Sequence, residues 1–116
     1  METSQVLRSL AALAQEHRLA IFRLLVEAGP AGIAAGRIAQ RVGLPAATTS
    51  FHLKELVNAG LAVANPQSRF IYYRAEYTTM NGLVRYLTEN CCAGSACDAP
   101  CAPRRSPKPT ARRRSA

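Results

Sequence analysis

The chain has 116 residues, a length that builds one domain and leaves little for a second. It is 48% hydrophobic but only 6% aromatic with no Trp, so its core is expected to be helical and made of Leu, Ala, Val and Ile. The net charge of +8 is uneven: residues 102–116 hold six cations and no acid, whereas residues 1–101 hold nine cations and seven acids. That balance permits nucleic-acid binding, although the high isoelectric point describes the tail more than the body.

The apolar stretches, such as LAALA at 10–14, are far shorter than the roughly 20 residues of a membrane span. The N-terminal METSQVLRSL has no basic segment before a long apolar run, so neither a membrane segment nor a signal peptide is expected and the location reads as cytoplasmic.

In chain order, residues 3–14 place Val6, Leu7, Leu10 and Leu13 on one helical stripe, with Thr3 or Ser4 available as N-cap. Residues 17–28 predict a second, more buried helix that stops at Gly29-Pro30. The small-residue stretch AGIAAG leads into a short helix near 37–42, closed by Gly43, and Leu44-Pro45 makes the turn. Residues 46–59 read as a helix with Leu53, Leu56 and Val57 inward and Gly60 as its stop. Two β-prone runs follow, LAVA at 61–64 and FIYYRA at 70–75, separated by NPQSR as a hairpin with a five-residue loop. From 78 to about 92 the helical period returns, with Met80, Leu83, Val84 and Leu87 on one stripe.

A short helix, a tight turn, a second helix and a β-hairpin make a winged helix-turn-helix, mainly α with a β-hairpin wing. A three-helix bundle with an appended hairpin has the same order. The residue types on the second helix favour DNA. Ala47, Ser50, Phe51, Lys54 and Asn58 share one face, with Thr48 beside them. Small side chains let the backbone approach base edges, hydroxyls bond bases or phosphates, and Lys54 reaches a phosphate. Arg69, at the hairpin loop, is placed to enter a minor groove or clamp a phosphate; a solvated loop charge is the alternative. Tyr72 and Tyr73 alternate on the second strand, so one packs inward and the other faces out.

All four cysteines lie within residues 91–101, as CCAGSACDAPC. Without a secretory signal, such a cluster reads as metal binding or redox chemistry before it reads as a disulfide scaffold. Extending the stripe of the last helix by four residues lands on Cys91, with Cys92 turned about 100° away. Neighbouring positions on a helix do not face each other, so the helix end has to unwind for both sulfurs to converge.

The runs LAALAQEHRLAIFRLL, RIAQRVGLPAATTSFHLKELVNAGLA and RFIYYRA resemble the ArsR/SmtB family of bacterial winged-helix metalloregulators over roughly residues 5–92. The sharpest match is spelled by Thr49, His52, Leu53, Leu56, Ala59, Gly60 and Leu61. The resemblance implies a homodimeric transcriptional repressor, joined through its first and last helices and released from operator DNA by a metal or metalloid. It also implies a structural or hydrogen-bonding role for His52, whereas His17 reads as a packing or capping residue.

Many members carry Cys-x-Cys ahead of the turn; the matching positions here are Ala34 and Gly36, which cannot ligate. Others place His and carboxylates on the last helix, where residues 78–92 offer only Glu89. The C-terminal thiols remain. Three thiolates suit pyramidal As(III) or Sb(III), and four suit tetrahedral zinc or cadmium. The expected set is Cys91, Cys92 and Cys97, with Cys101 as an alternative ligand, in an arsenic-responsive repressor of the kind this resemblance includes. A thiol redox repressor, a zinc- or cadmium-responsive repressor and a metalloid carrier with a vestigial winged helix are the competing readings.

No Gly-rich phosphate loop, paired carboxylates or oriented nucleophile is present, so an enzyme is not expected and no organic cofactor is implied. The expected organisation is a DNA-binding and dimerisation domain at 1–92, a cysteine cluster at 91–101 and a disordered basic tail at 102–116 that adds salt-sensitive affinity.

Overall fold

Helix α1 (Thr3–Leu13) and helix α2 (Glu16–Ala28) meet at a tight corner. There the Gln15 side-chain oxygen accepts the Arg18 backbone N–H at 2.9 Å. Arg18 in turn donates from Nε to the Ala12 carbonyl at 2.7 Å, so the end of one helix and the start of the next are both satisfied. The N-cap expected from Thr3 or Ser4 is not used. The cap position is Glu2, which makes no side-chain cap bond, and the Thr3 hydroxyl instead bonds the Tyr86 hydroxyl at 2.8 Å. These features come from a computed structural model, which describes residues 1–94.

After α2 stops at Gly29 (φ 85°), the small-residue stretch holds an element that the sequence pattern does not announce. Strand β1 (Ile33–Ala34) pairs antiparallel with a strand some forty residues later, Ile33 opposite Tyr73 and Ala34 opposite Tyr72. Gly32 makes the approach possible. Its φ is +79°, and a Cβ there would lie 2.7 Å from the Tyr73 carbonyl oxygen. Helix α3 (Ala35–Val42) ends at Gly43 in the left-handed conformation, φ 72°, and the Gly43 N–H bonds the Ala39 carbonyl. Leu44 and Pro45 then lead directly into helix α4 (Ala46–Asn58).

The wing is strand β2 (Ala62–Gln67) paired antiparallel with β3 (Phe70–Ala75), from Ala62 opposite Ala75 to Gln67 opposite Phe70. Only Ser68 (φ 58°) and Arg69 connect them, so the expected five-residue loop is corrected to a two-residue turn. Asn65, Pro66 and Gln67 belong to β2, and Pro66 is tolerated because the order β1-β3-β2 puts β2 at the sheet edge. Helix α5 (Tyr77–Thr88) follows, tied to α2 by the Tyr77 hydroxyl donating to the Val26 carbonyl at 3.2 Å. It stops short of the expected end near residue 92. A 3-10 turn, Cys91–Gly94, comes after it.

Residues 1–86 form one compact unit. Its core gathers Ile21, Phe22 and Leu25 of α2, Ile38 of α3, Leu53 and Leu56 of α4, and Leu61, Ala62 and Ala75 of the wing base. Tyr73 packs against that core, as the alternation on β3 requires of one of the two tyrosines. Helix α1 buries Val6, Ser9 and Ala12, leaving Leu7 60% and Leu10 38% exposed. Val84 of α5 is exposed as well, and so is Leu87. Much of the leucine-rich stripe read from the first and last helices therefore faces out of the protomer.

Candidate nucleic-acid interface and thiol pair

Helix α4 is held by its inner face. Thr49, His52, Leu53 and Leu56 are buried, at spacings that make one stripe, and they anchor the helix against α2 and α3. The opposite face is open. Ala47, Thr48, Ser50, Phe51, Lys54 and Asn58 are all exposed. Arg69 is exposed too, in the two-residue turn of the wing. Beside it stands Phe70, 58% exposed, which sequence reasoning treats as an ordinary strand residue. The signal available for it is the unbroken apolar run FIYY, whose first two residues cannot both face a core two layers deep.

His52 is the pivot of the buried side. Its ring centroid lies 5.8 Å from that of His17 and 5.5 Å from that of Phe51, the latter edge-on. An Arg18 Nη1 lies 3.5 Å from His52 Nδ1, and since guanidinium only donates, the contact suits the tautomer in which Nδ1 is the acceptor. Burial, then the Arg18 charge, then His17 hold the imidazole below its ordinary range, against a weaker opposing pull from Glu55. His52 is thus a packed residue, with the Phe51 ring standing edge-on beside it. His17 packs against it from the start of α2.

The cysteine expectation is corrected in its geometry. Cys91 does not continue the stripe of α5, because the helix has ended at Thr88 and Asn90 adopts φ 59°. Cys92 and Ala93 are also left-handed, at φ 56° and 57°. This unwinding brings the two sulfurs to 3.7 Å, which adjacent helical cysteines do not achieve. Their mutual hydrogen bond, followed by burial and the Cys92 charge, raises the Cys91 thiol above its ordinary range. Cys97 and Cys101 lie outside the described residues, as do the tail arginines. Among the described residues no group of three or more His, Cys, Asp or Glu side chains could hold a metal ion, and no helix is long and apolar enough to cross a membrane.

Residues 13–63 match the model of a helix-turn-helix domain, a span that takes in α2, α3, α4 and the start of β2. No curated protein matches the sequence. Among solved structures, the chain is 29% identical to a possible transcriptional regulatory protein (fragment 1–100) of Mycobacterium bovis, over 79% of this chain and 94% of that one, with a TM-score of 0.60. It is 28% identical to a homodimeric winged helix-turn-helix DNA-binding domain, also from Mycobacterium bovis, described as a possible ArsR-family regulator. That match covers 83% and 89% of the two chains with a TM-score of 0.61. An ArsR-like transcriptional regulator from Rhodococcus sp. RHA1 is 26% identical over 78% of this chain and 82% of its own, with a TM-score of 0.65. The fold is a winged helix-turn-helix.

Proposed function

We propose that this chain is a transcriptional repressor of the ArsR family that binds operator DNA as a homodimer and lets go when trivalent arsenic or antimony occupies its C-terminal thiols. The observation that carries the DNA half is the outer face of α4. It is exposed along its length, small and polar at its N-terminal end, and cationic at Lys54, on a helix whose other face is locked into the core. In this fold the second helix of the motif enters the major groove with its N-terminal residues on base edges, and Arg69 of the wing takes a phosphate or the adjacent minor groove. Two such helices about 34–36 Å apart engage successive major grooves of an imperfect palindrome. Leu7, Leu10 and Val84 are apolar residues that a second copy would cover.

The inducer half rests on the 3.7 Å between the sulfurs of Cys91 and Cys92. Arsenious acid can take up thiols without any change of oxidation state, each thiol proton leaving with a hydroxide as water while an As–S bond replaces an As–O bond. Cys97 is assigned as the third ligand, with Cys101 as its alternative. Soft thiolates favour such ions over magnesium or calcium. The thiols follow α5 in the chain after only Glu89 and Asn90, so drawing three sulfurs together constrains the end of a helix assigned to the subunit contact. Moving from mostly bound to mostly free takes about 5.5 kcal/mol of differential affinity between the two states.

The test is a gel shift of the full chain on its upstream DNA, titrated in parallel with arsenite, zinc and cadmium. Arsenite is expected to release the DNA. Replacing Cys91, Cys92 and Cys97 together by Ser is expected to keep the affinity and abolish the release. Release that survives the triple replacement removes these thiols from the mechanism. The short sulfur separation also favours a second reading, a repressor released when two thiols are oxidised to a disulfide. A loss of two mass units that tracks DNA release under peroxide, with no response to arsenite, selects it.

A further inference from the structure

Base readout by α4 is restricted by what its N-terminal half lacks. Residues 46–53 read Ala, Ala, Thr, Thr, Ser, Phe, His and Leu, and of these Thr49, His52 and Leu53 are buried. The groups left for base edges are two alanine methyls, the Thr48 methyl and hydroxyl, the Ser50 hydroxyl and the Phe51 ring. None is an Arg, Lys, Asn or Gln, the side chains that make paired hydrogen bonds to guanine or adenine. Lys54 stands about 10 Å further along the axis than Ala47, and Asn58 lies at the far end of the helix.

Phe51 is the largest of these groups. It is 56% exposed, and its ring stands at 62° to that of His52, centroids 5.5 Å apart, with His52 itself buried beside His17 and reached by Arg18. An aromatic ring among methyl groups complements the one apolar feature of the major-groove floor, the 5-methyl group of thymine.

The geometry points to Phe51 as the specificity-determining residue of α4, seated on a thymine methyl in each operator half-site, with Ala47 and Thr48 completing the apolar contact. This rests on the DNA-binding reading of α4 proposed above and adds which base it reads and by which atom. Discrimination comes from methyl contact, with single hydrogen bonds from Thr48 and Ser50 setting the register.

The experiment begins with the full chain selecting its tightest duplexes from a random-sequence pool. Each thymine of the selected site is then replaced in turn by deoxyuridine, which removes the methyl and changes nothing else. One or two thymines per half-site are expected to cost about fourfold in affinity when replaced, what burying one methylene-sized group amounts to. Phe51→Ala is expected to lose most of the difference between the thymine and uridine duplexes, and Phe51→Leu to keep a larger part of it; circular dichroism verifies that both fold. Equal binding of both duplexes by the natural chain overturns the inference, without recourse to any variant. So does a thymine preference that persists undiminished in Phe51→Ala. Selection that enriches no sequence at all overturns the DNA-binding reading itself, and the inference with it.

Discussion

Helices α4 and α5 are almost equal in length, 13 residues against 12, yet α4 buries four of its side chains and α5 only Leu83. What each leaves outside differs in kind. Outside α4 are hydroxyls, small methyls, one aromatic ring and a lysine. Outside α5 and its partner α1 are Val84, Leu7 and Leu10. Apolar area in water costs about 25 cal/mol per Å², so a leucine-rich face calls for an apolar cover, whereas a polar face with a cation suits a phosphate-bearing ligand. One small protomer thus presents two surfaces of opposite chemistry, and the helix with the better internal anchorage carries the polar one. On the reading proposed above, the first surface has to be held still by its own subunit and the second would be held by the other copy.

The sharpest break of this contrast is on the inner side of α4. Leu56 is fully buried, and Leu56→Ala is expected to cost about 3 kcal/mol of stability, read as a lowered urea midpoint with an unchanged slope. The equivalent truncation on the outer side of α1, Leu7→Ala, is expected to leave the isolated protomer within about 0.5 kcal/mol. A double charge there acts on assembly instead. Leu7→Glu with Leu10→Glu is expected to raise the dimer dissociation constant about a hundredfold in sedimentation, with the helical signal kept. A natural chain that sediments as a monomer at all concentrations would break the assignment of that face.

Lys54→Ala probes the polar surface. It is expected to weaken DNA binding evenly across sequences and to lower the slope of log affinity against log salt by about 1.

The smallest effect concerns His52, whose proton affinity is depressed in the folded state. The unfolded chain then binds the proton more readily, so stability is full above about pH 6.5 and declines as the pH falls below it toward the folded value. Urea midpoints from pH 5 to 8 are expected to show this slope, and His52→Gln to flatten it.

Much of this architecture is legible in the amino-acid sequence. The stops at Gly29, Gly43 and Gly60 and the helical period between them announce α2, α3 and α4, and the change of period after Leu61 announces the wing. The outer face of α4 is legible for the same reason, since a stripe of Leu53 and Leu56 determines what lies opposite it. What escapes depends on partners distant in sequence. Strand β1 is two residues long and exists only because β3 lies beside it. Pro66 reads as loop until the strand holding it is seen to be an edge. The helical stripe of α5 extends on paper to Cys91, but a stripe predicts where a helix would be buried and not where it stops. With no glycine between Gly82 and Gly94, the left-handed turn at Asn90 leaves no sharp mark.

Strand β1 has a mechanical corollary. It runs straight into α3 and is stitched to β3, with the backbones so close at Gly32 that no side chain fits. Any substitution there, Gly32→Val for instance, has to pry the wing away from the motif. The stitch thus ties the wing, with Arg69 at its tip, to α3, the helix that leads into α4. On the dimeric, DNA-binding reading proposed above, a change in how two copies lean on each other would pass through that tie to the wing as well as to the helices, and so alter their fit to the pitch of the double helix.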